Sequence, residues 1–148
     1  MGTQTILMVE DSDDDFYAAQ RTFQKARLNN PIRRCATGDE AVDYLFHRGA
    51  FTDAALAPLP GIILLDLNLP GLDGREVLRQ IKADPKMRKI PVIVLTTSNS
   101  ETDIEQSYAD GANSYVQKPV DIQGFVQAIT RLKDFWFEIA VLPKEKMP

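Results

Sequence analysis

Short apolar runs alternate along the chain with longer stretches whose apolar residues recur at helical spacing. Five runs predict short β-strands, at 6–9, 32–36, 62–65, 92–95 and 114–117. The stretches that follow each run predict five α-helices. Strands that alternate with helices favour a parallel sheet with helices on both faces. The pattern therefore predicts an α/β fold, a doubly wound (βα)5 parallel sheet.

Capping residues indicate where several helices begin and end. Ser12 or Asp13 is expected to cap the first helix, Asp73 precedes the third and Asp121 the last. Gly111 is expected to end the fourth helix. The register of the last helix brings three apolar side chains towards the sheet, those of Phe125, Ile129 and Leu132.

Two segments depart from this repeat. Residues from about 49 to 61 form a long loop, and loops of that length are usually functional or mobile. The tail after Lys133 is unusually apolar. We therefore expect a single domain over 1–148, with a core at about 5–133 and a C-terminal apolar extension at 134–148.

Composition narrows the class of protein. The chain has 148 residues, is 44% hydrophobic and carries a formal net charge of −4, which argues against disorder and against binding to a phosphate backbone. Its single cysteine, Cys35, excludes an internal disulfide and a thiolate metal cage. No run approaches a membrane span, and no signal peptide is evident. We expect a cytoplasmic protein without nucleic-acid or membrane partners.

Polar side chains stand at the ends of four predicted strands. Glu10 and Asp11 follow the first strand, Asp66 the third, Thr96 the fourth and Lys118 the fifth. In such sheets ligands bind beyond the carboxyl ends of the strands, so these side chains are expected to converge. Neighbouring carboxylates repel one another, and a hard cation such as Mg²⁺ relieves that repulsion.

This set of side chains suits phosphoryl transfer. Asp66 can act as a carboxylate nucleophile towards a phosphoryl group. Lys118 and the cation would neutralise the charge on the transferred oxygens, and Thr96 would donate a hydrogen bond. No other side chain is required for the transfer.

Four segments carry a family resemblance, VEDSDDD at 9–15, LLDLNLPGLDG at 64–74, VLTTS at 94–98 and SYVQKP at 114–119. With them the chain resembles the receiver domain of two-component response regulators, from about Ile6 to Leu132. The resemblance implies a flavodoxin-like sheet with strand order 2-1-3-4-5. It also implies a phosphoacceptor protein, which assists its own phosphorylation and dephosphorylation, rather than an enzyme.

The resemblance assigns a role to each matching residue. Asp66 matches the phosphoacceptor. Mg²⁺ would be held by Glu10, Asp11, Asp66 and the backbone carbonyl of Asn68. The switch and phosphate-binding positions are Thr96, Tyr115 and Lys118, and the Lys118–Pro119 peptide bond is expected to be cis.

The long loop and the aromatic tail narrow the resemblance to the single-domain response regulators of cyanobacterial and bacterial phytochromes. That subgroup implies a light-sensing histidine kinase as the phosphodonor. On an α-helix Phe135, Trp136 and Phe137 would span about 200°, whereas a core-facing stripe covers roughly 100°. Either the tail folds back on its own domain or it meets another subunit. We favour a homodimer whose interface includes these three aromatic residues.

The same residues are compatible with two other functions. Haloacid-dehalogenase-like phosphohydrolases use the same aspartyl-phosphate chemistry, but they place a second acid where this chain has Asn68. A pseudo-receiver, a binding module that needs no phosphate, would not require the intact site. Asp13, Asp14 and Asp15 are interpreted as charges that favour the start of a helix, rather than as ligands.

Overall fold

The computed structural model describes residues 4–139, which form a five-stranded parallel sheet flanked by helices. The strands are β1 (Thr5–Val9), β2 (Ile32–Cys35), β3 (Pro60–Leu65), β4 (Val92–Thr96) and β5 (Ser114–Gln117). The helices are α1 (Asp13–Lys25), α2 (Gly38–Leu45), α3 (Gly74–Ala83), α4 (Glu101–Ala109) and α5 (Ile122–Lys133). The sheet order β2-β1-β3-β4-β5 confirms the predicted fold class and topology. None of the described helices is both long and apolar enough to span a membrane.

Side-chain caps fix the starts of the helices. The Ser12 side chain accepts a hydrogen bond from the Asp15 backbone N–H, which identifies Ser12 as the cap of α1. Asp73 and Asp121 cap α3 and α5 as predicted. Gly111 follows α4 with a φ of +105°, a conformation that glycine adopts without strain.

Alternate residues of each strand face two separate cores. Leu7 and Val9 of β1 pack with α2 and α3 on one face of the sheet. Ile6 and Met8 pack on the other face with α1 and α5. The three side chains expected to turn α5 towards the sheet are all buried there, Phe125, Ile129 and Leu132. Because helices bury both faces, the carboxyl ends of the strands are left as the place for chemistry.

The segment expected to be a loop over 49–61 is more ordered than predicted. It contains a 3₁₀ turn at Gly49–Phe51, and β3 begins at Pro60, two residues before the predicted strand. A proline lacks a backbone N–H, so it is tolerated as the first residue of a strand. The Tyr44 hydroxyl donates to the Pro58 carbonyl at 2.7 Å and ties the segment to α2.

The tail continues from α5 as a π-helical turn over Asp134–Ile139. Trp136 and Phe137 pack against the core shared by α1 and α5, and the Phe137 ring lies 6.3 Å from that of Phe23. Phe135 is 47% exposed. Two of the three aromatic residues of the tail therefore fold back on the domain. The rest of the predicted extension, 140–148, lies outside the described residues.

The expected cis bond between Lys118 and Pro119 is wrong, because no peptide bond in the described part of the chain is cis. A trans X–Pro bond is favoured by about 0.5–1 kcal/mol unless the surroundings select the other form. The Lys118 N–H donates to the Thr96 carbonyl at 2.6 Å beside this trans bond. The Lys118 Nζ lies 3.1 Å from Asp66 Oδ2, so the lysine reaches the strand ends.

Candidate functional site

An acidic cluster lies at the carboxyl ends of the adjacent strands β1 and β3. Glu10, Asp11 and Asp66 each offer a carboxylate oxygen, and these oxygens lie within 4.8 Å of one another. Glu10 and Asp66 are buried, whereas Asp11 is exposed. Three oxygen donors at this spacing, open to solvent on one side, fit a hard divalent cation that keeps part of its water shell.

Lys118 reaches the same place from the end of β5. Its Nζ lies 2.6 Å from Glu10 Oε1 and 3.1 Å from Asp66 Oδ2. A third carboxylate, that of Asp15, lies 2.9 Å away. Asp15 was interpreted from the sequence only as a helix-start charge. The neighbouring sequence does not indicate the contact of Asp15 with Lys118, because the lysine is 103 positions further along the chain.

The electrostatics of the cluster follow from burial and pairing. Burial raises the pKa of Glu10 to about 7, although the hydrogen bond and charge of Lys118 oppose that rise. Burial alone would lower the pKa of Lys118, but hydrogen bonds and charges from Glu10, Asp66 and Asp15 hold it above its ordinary value. The ammonium is therefore charged at neutral pH, as pairing with a phosphoryl group requires.

Backbone contacts fix Asp66 in place. Its N–H donates to the Val9 carbonyl at 3.1 Å, and its Oδ1 accepts from the Asn68 N–H at 3.1 Å. Gly74, the first residue of α3, packs so closely on Asp66 that a Cβ there would collide with the Asp66 carbonyl and with the backbone of Leu67. Gly74 was not singled out from the sequence. The role of the Asn68 carbonyl as a metal ligand stays a prediction.

Thr96 and Tyr115 border the β4–α4 loop. Thr96 is fully buried, and its Oγ1 has no hydrogen-bond partner among the residues that the structure describes. The Tyr115 hydroxyl donates to the Ser98 carbonyl at 2.9 Å, which holds the ring against the loop. The threonine hydroxyl is thus unbonded among the described residues and the tyrosine is bonded to the loop, and their role as a switch pair stays a prediction.

An ion pair beside the loop was not predicted. Arg75 of α3 donates from Nε and Nη2 to the two carboxylate oxygens of Asp103 in α4, both at 2.8 Å. The Ser98 hydroxyl donates to the same carboxylate at 2.6 Å. The pair lowers the pKa of Asp103 to about 2, chiefly through the hydrogen bonds from Arg75 and then from Ser98. α3, α4 and the loop before α4 are thus joined.

The doubly wound sheet, with its acidic cluster and charged lysine, defines a class of domain whose strand ends carry the side chains that a carboxylate phosphoacceptor requires. The sequence profile of the response regulator receiver domain matches residues 6–130. The chain therefore belongs to the response regulator receiver domain family.

Relatives of nearly equal length refine this assignment. The response regulator Rcp1 of Synechocystis sp. is 36% identical over 140 residues, which is 95% of this chain and 93% of that protein. The crystal structure of the phosphorylated cyanobacterial phytochrome response regulator RcpA has a TM-score of 0.91 and 37% identity, covering 97% of this chain and 100% of the other. The Mn²⁺-bound form of Rcp1 has a TM-score of 0.90 and 36% identity, covering 95% of this chain and 99% of the other.

Proposed function

We propose that this protein accepts a phosphoryl group on Asp66 from a sensor histidine kinase and passes the signal on through a change of conformation. The observation that carries the proposal is the pairing of Asp66 with Lys118 beside the two acids of β1. An Asp66 carboxylate oxygen would form the new P–O bond. The P–N bond to the kinase histidine would break, and the bonding pair would stay on the imidazole nitrogen.

The donor set also supports Mg²⁺ as the cofactor. Glu10, Asp11 and Asp66 would supply carboxylate oxygens, and the Asn68 carbonyl is the expected backbone ligand. When bound, the cation would offset the negative charge of the carboxylates and of the incoming phosphoryl oxygens. We expect weak binding even without phosphate, because water would complete the ligand shell.

The kinase partner we propose is of the phytochrome type. The similarity to RcpA and to Rcp1 extends over almost the whole chain, covering 97% and 95% of it. A light-sensing kinase would then control the phosphorylation of Asp66.

A homodimer is proposed as the state that covers the exposed part of the tail. A shallow cavity of about 410 Å³ lies between β5, α5 and the tail, with Val116, Leu132 and Trp136 in its lining. Phe135 borders this cavity and is half exposed. An apolar patch at the sheet edge, with an aromatic side chain beside it, is typical of an interface. In a symmetric homodimer, each copy of the chain would cover the apolar patch of the other.

Incubation with Mg²⁺ and acetyl phosphate, followed by peptide mass measurement, tests the acceptor. Wild type should gain one phosphoryl group on the peptide that contains Asp66, and Asp66→Asn should gain none. Asp14→Asn is the matched control, because it removes an exposed acid of α1 that belongs to no site contact described above. Labelling of Asp66→Asn at the wild-type rate would disprove the assignment.

The same assay separates the other functions. Asp11→Ala should abolish Mg²⁺-dependent labelling, and labelling that persists in excess chelator would contradict a metal-assisted reaction. Sustained turnover of small phosphomonoesters would indicate a phosphohydrolase. Absence of any label from either acetyl phosphate or a kinase would indicate a binding module that needs no phosphate.

A further inference from the structure

The Lys118 ammonium has all of its hydrogens occupied. An ammonium group has three N–H donors and no acceptor. In this structure three carboxylates lie within 3.1 Å of the Lys118 Nζ, those of Glu10, Asp15 and Asp66. A phosphoryl oxygen on Asp66 can bond to the ammonium only if one of these contacts is given up.

The three carboxylates differ in their surroundings. The side chains of Glu10 and Asp66 are 2% and 8% exposed and belong to the acidic cluster. The side chain of Asp15 is 31% exposed and lies in the first turn of α1. The Asp15 backbone N–H donates to the Ser12 hydroxyl at 3.2 Å, so the helix cap fixes where this carboxylate stands. Asp15 is thus the partner on the solvent side of the ammonium.

We propose that Asp15 is a positioning residue for phosphoryl transfer, which competes with the phosphoryl group for the Lys118 ammonium. The proposal rests on Asp66 being the acceptor. In the resting protein Asp15 holds the ammonium at the mouth of the site. During transfer its negative charge both retains one N–H of the lysine and repels the dianionic donor.

The substitution Asp15→Asn removes that charge while keeping the size of the side chain. One N–H of Lys118 then becomes available to the phosphoryl group, and the repulsion of the donor falls. At saturating Mg²⁺ we expect Asp66 to be labelled by acetyl phosphate about threefold to tenfold faster than in wild type. Beryllofluoride, an analogue of the phosphoryl group, should also bind more tightly.

Two further variants separate the contact from general charge and from folding. Asp14→Asn removes an equal charge from the same helix turn, but from an exposed side chain that belongs to none of the site contacts described above. Its labelling rate should therefore stay within about twofold of wild type. Asp15→Glu restores a carboxylate that can reach the ammonium, and it should return the rate towards wild type. Thermal unfolding of all variants shows whether a change in labelling rate results from a change in stability rather than from the altered contact with Lys118.

The outcomes are distinguishable. Equal labelling rates and equal beryllofluoride affinities in Asp15→Asn and Asp14→Asn would overturn the role of Asp15, as would slower labelling of Asp15→Asn. If wild type and Asp66→Asn are labelled alike, the acceptor assignment fails instead. A faster Asp15→Asn, a near-normal Asp14→Asn and rescue by Asp15→Glu together support the proposal.

Discussion

At the scale of single residues, Thr96 is notable for the missing hydrogen bond of its side chain among the described residues. Its hydroxyl is fully buried and unbonded within the part of the chain that the structure describes. A buried hydroxyl without a partner costs roughly 1–3 kcal/mol. A phosphoryl group on Asp66, at the end of the neighbouring strand, would supply an acceptor. That difference between the two states is what a population shift requires.

Replacing Thr96 by Val should therefore stabilise the unphosphorylated protein, by about 1 kcal/mol in the free energy of unfolding measured with urea. The same variant should accept phosphate on Asp66 yet leave the nuclear magnetic resonance signals of Tyr115 unchanged on phosphorylation. Thr96→Ser keeps the hydroxyl and should respond as wild type does. A Thr96→Val protein whose Tyr115 signals still respond to phosphate would remove the hydroxyl from the switch.

Residues at strand ends could be predicted from sequence, whereas contacts made by long side chains could not. Glu10, Asp66 and Lys118 were found because parallel strands bring their carboxyl ends to one edge. Asp15 was not, since acids in the first turn of a helix are common for reasons of the helix dipole alone. Its role depends on the direction of a lysine side chain that only the folded chain determines.

At the scale of elements, α4 is the helix held least by apolar packing. Only Ser107 of α4 is buried. The Arg75–Asp103 pair fixes its first turn instead, and the Tyr108 hydroxyl, which accepts from the Tyr115 N–H at 3.1 Å, fixes its last. A helix held by polar contacts can shift at low cost when those contacts are exchanged. α4 and the loop before it are therefore the elements best placed to transmit the signal.

The pH dependence of stability should reveal the Arg75–Asp103 pair. Because the pKa of Asp103 is lowered from 3.8 to about 2, the pair stabilises the fold above pH 3.8, and this contribution is lost as the pH falls through 2. Asp103→Asn should lower the free energy of unfolding by about 1–2 kcal/mol at pH 7. The difference in the free energy of unfolding between wild type and Asp103→Asn should become smaller as the pH falls from 4 to 2.

A matched control exists on the same helix as Arg75. Glu76 pairs with Arg79 at 2.9 Å, but both side chains are more than a third exposed. Glu76→Gln should therefore change the free energy of unfolding by less than about 0.5 kcal/mol at any pH. Urea unfolding at several pH values measures both variants, and a gap for Asp103→Asn that persists at pH 2 would contradict the pairing.

Helix boundaries were predicted correctly where the capping residue and the spacing of apolar residues both belong to the helix concerned. Asp121 and the α5 register were predicted correctly because both signals lie within the helix itself. The sequence left open whether the tail folds back on its own domain or meets another subunit, because the 200° spread of its aromatic residues assumed an α-helical period. The chain adopts a π turn from Asp134 instead, and the Phe137 ring within it packs against Phe23 of α1.

At the scale of the whole molecule, the tail combines a side chain that packs within the domain with one that would contact a second copy in the proposed homodimer. Phe137 contacts Phe23 within the domain, whereas Phe135 is half exposed beside the β5–α5 cavity. The two positions should therefore respond differently to truncation of the ring, since one would lose core packing and the other would lose a contact in the proposed homodimer.

Phe137→Ala should lower the free energy of unfolding by about 2 kcal/mol, less than for a fully buried ring. Phe135→Ser should change the stability of the monomer little but should weaken the homodimer. Thermal unfolding at low concentration measures the first effect, and sedimentation at high micromolar concentration measures the second. A wild-type protein that sediments as a monomer with and without phosphorylation would rule out the dimer.

The place of α5 in the fold has a consequence for how the chain is made. α1 and α5 together cover one face of the sheet, yet four strands and three helices separate them in the chain, so α1 is translated well before α5. A nascent chain folds from its amino end as it emerges from the ribosome. Until residues 122–133 emerge, Ile6, Met8 and Leu64 lack half of their cover. Messenger RNAs truncated before the codons for residues 122–133 should therefore yield fragments that aggregate or are degraded, rather than receiver domains of lower activity.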